Sequence, residues 1–225
     1  VFNISAGHSS LEVNLTVKDP RLREFFQDRR VRMAMSHAVH REEINELVND
    51  GLGTPRQYSP VSVSPNYHEE LSRAYVEYDP DKARQLLDEA GYTEVDAEGF
   101  RLHKDGSGET LSFIIEGTAE QDDTVLMVIR YLADVGIKAT YKYDERSLYE
   151  VRCAANEVQA SSWGGNRTIM PIIDPGIWLG TMGGFPWANA WGIWKTNPAD
   201  PNAEEPPEGH WIWDIWNTWD QVAAE

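Results

Sequence analysis

The residues with the clearest capacity for ligand chemistry are the tryptophans, all nine of which lie between Trp163 and Trp219. Sugar rings expose apolar C–H faces that stack on an indole, and glycines beside the indoles leave room for a flat ligand. The hydroxyl groups of such a ligand need amide, carboxylate or guanidinium partners. The candidate binding residues are therefore Trp163, Trp187, Trp191 and Trp194, with Asn166, Arg167 and Asp174 as polar partners.

Packing in a hydrophobic core is the alternative use for these rings. Positions 212, 215, 216 and 219 follow helical spacing, so Trp216 and Trp219 fit an apolar helix face. Pocket walls and cores both favour aromatic residues, so we expect ligand contact for about two or three of the nine. Trp163 and Trp191 are the first candidates for stacking, and Asp174 is either a ligand contact or a turn residue.

Nothing in the sequence points to catalysis or to a cofactor. His37, His40 and Glu43 are spaced three apart, but a helix face and a helix junction explain them better than a metal site does. Cys153 is predicted to be a small buried hydrophobic residue. There is no Ser/His/Asp arrangement, phosphate-binding loop or dinucleotide motif. We predict no catalytic residue, no metal and no cofactor.

The charge and the hydropathy of the sequence exclude some classes of binding partner. The chain has 225 residues, with Lys+Arg 20 against Asp+Glu 37 and a formal charge of −17, which disfavours nucleic acid and acidic membrane surfaces. No apolar run reaches the roughly 20 residues of a membrane span, so direct membrane insertion is not expected. The chain starts without Met on a pattern that already resembles a strand, so we interpret it as a piece of a longer protein.

The elements that must position these residues alternate between strands and helices. Helices are predicted at an apolar-periodic stretch around 31–39 and at 42–49, 79–90, 121–135 and 147–155, and strands at 11–17, 100–104, 110–115, 137–143 and 158–163. The two strands joined by residues 105–109 form a hairpin. Gly, Pro and Asn make much of 164–210 a predicted loop. This order predicts an α/β fold with a mixed sheet flanked by helices.

Three segments carry a family resemblance. Residues 28–42, DRRVRMAMSHAVHRE, are similar to the pattern D-x-R-V-R-x-A-[LM]-S-x-A-[IV]-[DN]-R-E. Residues 78–92, YDPDKARQLLDEAGY, and 132–138, LADVGIK, are similar to two further patterns that follow in the same order. The chain thereby resembles the C-terminal lobe of family 5 extracellular solute-binding proteins, the oligopeptide and dipeptide binders that feed ABC importers.

The resemblance implies lobe II of a two-lobed periplasmic-binding-protein type II fold, with a ligand held in the cleft between the lobes. Residues 1–225 would form this single lobe, with 1–18 and 210–225 near the crossings to an N-terminal lobe absent from this sequence. The implied partners are a small oligomeric ligand and a membrane permease, and the implied location is extracytoplasmic, either periplasmic or lipid-anchored outside the membrane.

Two departures from the family pattern bear on the helix ends and on the ligand. His40 stands where Asp or Asn usually caps a helix, so we expect a slightly weaker helix start. Asn166 stands where peptide binders of the family carry an Asp that holds the α-ammonium group of the peptide. The loop from Trp187 to Trp194 resembles family members that carry oligosaccharides, so we lean towards an oligosaccharide over an oligopeptide. A carbohydrate-binding module, a glycoside hydrolase domain and a structural α/β domain remain as alternatives.

Overall fold

The computed structural model describes residues 10–163 and 175–224. Within them the chain folds into four strands and ten helices. The strands are β1 (Ser10–Val13), β2 (Ser112–Gly117), β3 (Lys138–Tyr143) and β4 (Ala160–Trp163). The helices are α1 (Pro20–Gln27), α2 (Arg29–Ala38), α3 (Arg41–Val48), α4 (Glu69–Arg73), α5 (Pro80–Glu89), α6 (Asp123–Asp134), α7 (Arg146–Ala154), α8 (Pro175–Leu179), α9 (Asn189–Thr196) and α10 (Ile212–Ala224).

The four strands form one mixed sheet in the order β1-β4-β2-β3. β2 is parallel to β3 and β4, whereas β1 runs antiparallel to β4 with Ser10 opposite Trp163 and Val13 opposite Ala160. The parallel strands are linked by helical crossovers, α6 after β2 and α7 after β3. The predicted mixed α/β fold is confirmed.

The sheet has two different faces. Phe113 and Ile115 of β2 point to the main core, where Phe26 of α1 packs edge-on against Phe113 with ring centroids 5.1 Å apart. Glu116 points to the other face, where Arg152 of α7 donates to its carboxylate at 2.7 and 3.0 Å. This second face also holds a small buried cluster, Tyr149, Cys153 and Val158, against which Trp163 packs.

A buried polar network ends β1 earlier than the predicted strand over 11–17. The Asn14 side chain donates to Val158 O and Asn156 Oδ1 at 2.8 and 2.9 Å, and its own Oδ1 accepts from the Thr16 N–H at 2.8 Å. These bonds turn the backbone after Val13, so that the Leu15 N–H donates to Trp187 O at 3.0 Å instead of to β4. The side chain of Asn14 therefore fixes where the sheet stops.

The predicted hairpin over 100–115 is only partly formed. Two antiparallel bridges occur, Val95–Arg101 and Leu102–Thr110, and the continuous strand is β2 alone. The N–H groups of Arg101 and Leu102 donate to Gly136 O at 2.8 Å and Glu94 O at 2.9 Å, so they are not free for a regular ladder.

The segment after residue 174 is more helical than its composition suggests. The prediction that much of 164–210 is loop is wrong for Pro175–Leu179 and Pro186–Thr196, which form α8, a 3-10 turn at Pro186–Ala188 and α9. Gly192 lies inside α9, where a Cβ atom would overlap the Met182 carbonyl. That glycine therefore serves close packing of a helix rather than a turn.

The helix over 79–90 is confirmed as α5, and its first turn gives a direct test of capping. Asp79 accepts a hydrogen bond from the Lys82 N–H at 2.8 Å. We expect Asp79→Ala to lower the free energy of unfolding by about 1 kcal/mol, because an amide loses its partner. Asp81→Ala is the control, since that exposed side chain pairs, among the described residues, with Arg84 on the same helix. Equal urea midpoints for both variants would contradict the prediction.

Candidate ligand-binding site

The candidate site lies at the edge of the sheet where the parallel strands end. Gly117, Tyr143 and Trp163 close β2, β3 and β4 there, and the antiparallel β1 begins there at Ser10. Asp122, the N-cap of α6, accepts a hydrogen bond from Ser162 Oγ at 2.8 Å, which links the start of α6 to β4 at this edge. In open α/β sheets this is the edge at which ligands bind.

Trp163 forms an aromatic platform on this edge. Its ring stacks on Tyr149 with centroids 5.4 Å apart and planes 11° from parallel, and the Arg146 guanidinium lies 5.7 Å from the ring centroid. Tyr149 is buried, its hydroxyl hydrogen-bonds to Ser161 Oγ at 2.6 Å, and burial raises its pKa. Trp163 remains partly exposed, so a rigid underlayer holds an indole that can still stack on a ligand.

Glu12 lies on the same face of the sheet. It is paired in register with Ser161, and burial raises the pKa of its carboxyl from 4.5 to about 7. Its carboxyl group makes no hydrogen bond or ion pair with another residue in 10–163 or 175–224. A carboxyl with this pKa exchanges its proton near neutral pH, and sequence reasoning did not single it out.

A cavity of about 650 Å³ opens beside this edge. Its walls come from β1, α2, α3, α4 and the segment 53–58, and two of its lining residues, Ser10 and Thr124, belong to the edge itself. Ser10 Oγ donates to the backbone carbonyl of Trp163 at 2.9 Å, so a residue that lines the cavity is bonded to the strand end that carries Trp163. The volume suits a small ligand group.

The cavity also depends on an aromatic contact that the sequence did not indicate. Tyr58 lines its wall and stacks on Trp178 of α8, with centroids 4.5 Å apart and planes 11° from parallel. Tyr58 and Trp178 are 120 positions apart, so no local pattern joins them. Trp178, one of the nine tryptophans, therefore supports the cavity wall.

The other predicted tryptophans do not join Trp163. The Trp187 carbonyl accepts from the Leu15 N–H, beyond the Val13 end of β1, so Trp187 lies at the opposite end of β1 from the Trp163 edge. Its indole N–H donates to Ile177 O at 2.8 Å and its ring stacks on Trp211. Trp194 packs against Trp213 and Trp216.

The expectation that Trp191 stacks on a ligand is corrected, because the structure buries its ring. Only 1% of its surface is exposed, and its ring lies 4.6 Å from the His210 ring within the core. No face of the indole is open to a ligand in this conformation. Helical spacing within α9 places it inward, a signal that its glycine-rich surroundings hid.

The predicted polar partners Asn166, Arg167 and Asp174 lie outside the described residues. The histidines have structural contacts: buried His37 hydrogen-bonds to Glu77 O at 3.0 Å, and His40 accepts from the Glu43 N–H at 3.2 Å. His40 thus caps α3 in place of the usual Asp or Asn. Over 10–163 and 175–224, His, Cys, Asp and Glu side chains form no group of three or more suited to a metal ion.

Comparison with known proteins places the chain in a family. Residues 2–176 match the family described as bacterial extracellular solute-binding proteins, family 5 Middle, which is more than half of the chain. The chain belongs to this family. The edge that carries Trp163 lies within the matched residues, and the resemblance of residues 28–42, 78–92 and 132–138 to that family is confirmed.

Two curated relatives of this family 5 chain are named as oligopeptide-binding proteins. It is 28% identical over 150 residues to AppA of Bacillus subtilis, covering 65% of this chain and 26% of AppA. It is 26% identical over 166 residues to OppA of Lactococcus lactis subsp. lactis, covering 73% of this chain and 25% of OppA. The chain thus spans about a quarter of the length of these relatives.

Solved structures give the same family 5 fold. An oligopeptide-binding protein OppA matches 98% of this chain and 36% of its own, with a TM-score of 0.83 and 32% identity. AppA with a nonapeptide matches 74% of this chain at a TM-score of 0.61 and 26% identity. A periplasmic oligopeptide-binding protein of Thermotoga maritima with bound mannohexaose shares the fold, with a TM-score of 0.62 and 19% identity. Among the described helices of this family 5 chain, none is both long and apolar enough to span a bilayer.

Proposed function

We propose that this chain is the C-terminal, ligand-binding lobe of a two-lobed solute-binding protein of an ABC importer. It matches an OppA structure along 98% of its own length but only 36% of that protein's, as expected for one lobe. Residues 1–18 and 210–225 would lie near the crossings to the other lobe. The protein would work outside the cytoplasmic membrane, as the family description "extracellular" suggests.

The proposed activity is capture and delivery of a ligand, without catalysis. The observation that carries it is the half-exposed Trp163 platform at the carboxyl ends of parallel strands, beside an open cavity. Closure of the second lobe over this edge would bury the ligand, and the closed form would dock on the membrane permease. The relatives are likewise binding proteins.

An oligosaccharide is our first candidate ligand. An indole held flat by Tyr149 suits the C–H face of a sugar ring, and Asn166 supplies a neutral amide where a peptide's ammonium group would need a charge. The fold is compatible with such a ligand, since the Thermotoga maritima protein holds mannohexaose.

An oligopeptide is the second candidate, and two observations favour it. The curated relatives are oligopeptide-binding proteins. In addition, Glu12 is a carboxyl near the edge without an ion-pair partner in the described parts of the chain, so it could serve as the counter-charge that Asn166 lacks.

A thermal-shift screen of the full-length protein tests the proposed function. The ligands are peptides of about two to six residues and cello-, xylo- and manno-oligosaccharides. A ligand at about a hundred times its Kd stabilises the bound form by about 2.7 kcal/mol, which raises the melting temperature by several degrees. A shift with sugars alone supports the first candidate and one with peptides alone the second. No shift with any of them contradicts the proposed function.

Replacement of Trp163 by alanine tests the platform. We expect a Kd about 30-fold weaker for whichever ligand binds, because a central tryptophan contact is worth about 2 kcal/mol. Trp211→Ala is the matched control, since Trp211 is also partly exposed but stacks on Trp187, at the far end of the sheet. Isothermal titration gives both constants. An unchanged Kd for Trp163→Ala would exclude the platform from the site.

A further inference from the structure

The cavity beside the Trp163 edge concentrates positive charge in an acidic protein. Four arginines line it, Arg29, Arg32, Arg41 and Arg56, whereas none of its described lining residues is Asp or Glu. The whole chain has the opposite balance, with 37 acidic against 20 basic residues. The cavity is therefore a local site of attraction for an anion.

The arginines from α2 and α3 have uncharged hydrogen-bond partners. Arg32 donates to Phe26 O at 2.6 Å, Arg41 donates to Ser36 O and Ser36 Oγ at 2.8 Å each, and Arg29 donates to the Tyr75 hydroxyl at 2.8 Å. Within 10–163 and 175–224, no carboxylate lies within 4.0 Å of these three guanidinium groups. Their charges are held in place but not neutralised.

Arginines outside the cavity behave differently. Arg30 on the same helix pairs with Asp28 at 2.6 Å, and Arg101 pairs with Asp88 at 2.5 Å. The chain therefore has carboxylates available for guanidinium groups and places them elsewhere. Because Arg29, Arg32 and Arg41 have no carboxylate partner in the described residues, this wall of the cavity is arranged to accept an anion from outside the chain.

The electrostatics of α2 and α3 agree with this geometry. Burial lowers the pKa of Arg32; the charge of Asp28 raises it, and the charge of Arg29 lowers it by a smaller amount. Burial also lowers the pKa of Arg41. Arg29 and Arg32 lie three positions apart on one face of α2, so their charges repel across the cavity wall. An anion between them would relieve that repulsion.

We propose that this cavity binds a carboxylate carried on a branch of the ligand, with Arg29 and Arg32 as its partners. The inference rests on the proposed function, because the ligand backbone would lie on the Trp163 edge. Ser10 belongs both to that edge and to the cavity wall, so the two adjoin there, and a branch would enter the cavity past Ser10. Planar guanidinium groups bind carboxylates with two parallel hydrogen bonds. In an oligosaccharide the carboxylate belongs to a uronate, and in a peptide to an Asp or Glu side chain.

Two matched ligand pairs test the proposal on the full-length protein. The first pair is xylotetraose with and without a glucuronate branch. The second pair is the amidated pentapeptides Gly-Gly-Glu-Gly-Gly and Gly-Gly-Gln-Gly-Gly, which differ only in the side-chain charge. In the pair that matches the ligand class, we expect the acidic member to bind about tenfold more tightly by isothermal titration, as for a charged hydrogen-bonded pair. The pair that shows the preference identifies the source of the carboxylate.

Substitutions locate the effect in the cavity. We expect Arg29→Gln to reduce the preference for the acidic member about fivefold or more, since Arg29 is exposed and bonds only to Tyr75 among the described residues. Arg73→Gln removes the same charge from α4, where Arg73 pairs with Glu69 in solvent, and should leave the preference unchanged. Equal binding of acidic and neutral members, or an intact preference in Arg29→Gln, overturns the proposal.

A second measurement keeps the proposal separate from the proposed function. If neither pair binds, the proposed function fails for these ligands, and the cavity is then tested with glucuronate and glucose alone. In protein labelled with ¹⁵N at arginine, the Nε–Hε signals of Arg29 and Arg32 should shift with glucuronate and not with glucose. Unmoved signals in both titrations overturn the proposal.

Discussion

Replacing Trp191 by alanine is expected to destabilise the protein by about 4 kcal/mol, the loss typical of a tryptophan removed from a packed core. The ring is 1% exposed and belongs to the main core with Ala188, Ile212 and Trp216. The cavity left behind cannot close easily, because α9 and α10 are held by several other aromatic contacts. A loss of this size is a large part of a typical total stability.

Urea unfolding of the full-length variants measures this effect. Trp211→Ala is the control, since 44% of that residue is exposed and its removal should cost less than about 1 kcal/mol. Trp163→Ala provides the opposite pattern, a weakened Kd with a smaller loss of stability. If Trp191→Ala instead keeps its stability and loses ligand affinity, then Trp191 contacts the ligand, as the sequence first suggested.

Replacing Glu12 by glutamine is expected to stabilise the protein above neutral pH and to have no effect in acid. Burial raises the pKa of this carboxyl from 4.5 to about 7, so the folded protein holds its proton more tightly than the unfolded chain does. Stability therefore falls as the pH rises from about 4.5 to 7, and the loss is complete above 7. Since a tenfold change in proton affinity is worth about 1.4 kcal/mol, the full effect is at most about 3 kcal/mol.

Free energies of unfolding at about pH 4, 6 and 8 test the sign and the range. Glutamine resembles the protonated acid, so Glu12→Gln should match the parent at pH 4 and exceed it at pH 8. The groups that sense the Glu12 charge are Tyr149 and Cys153, and burial raises the pKa of both above this range. Glu150→Gln, an exposed change on α7, should show no pH-dependent gain. If Glu12→Gln and the parent differ by the same free energy of unfolding at all three pH values, the raised pKa of Glu12 is refuted.

Local patterns in the sequence were sufficient to predict those helices and strands whose ends are set by contacts between neighbouring residues. Asp79 caps α5 through the N–H of Lys82, three positions later, and Gly136 ends the α6 region with a φ of 85°. Both helix ends depend on a few adjacent residues, so a short sequence pattern is enough to predict them. The order of strands and helices, and with it the α/β class, followed from the same kind of signal.

Long-range packing explains what the sequence did not reveal. From the sequence, Gly192 is predicted to be a loop residue. In the structure it allows α9 to approach the Met182 backbone, a contact that no local pattern indicates. The arginine cavity was missed because its members are spread from position 29 to 56 and the overall charge is strongly acidic. The position of Trp163 at the end of a strand is a local feature that the predicted strand 158–163 contains, whereas its contact with a ligand stays a prediction. Trp163 and Trp187 lie at opposite ends of β1, and no local pattern shows this because β1 is about 150 residues away from Trp163 in sequence.

The pairing of β1 with β4 has a consequence for biosynthesis. Ser10 bonds to Trp163 across a sequence separation of 153 residues. A ribosome adding about 5–20 residues per second needs roughly 8–30 seconds to produce β4 after β1 has been made. During that time Leu11 and Val13 have no strand beside them, although α1, α2 and α5 are already complete. These three helices are therefore synthesised before β4, and the Trp163 edge is complete only when β4, the last of the described strands, has been translated.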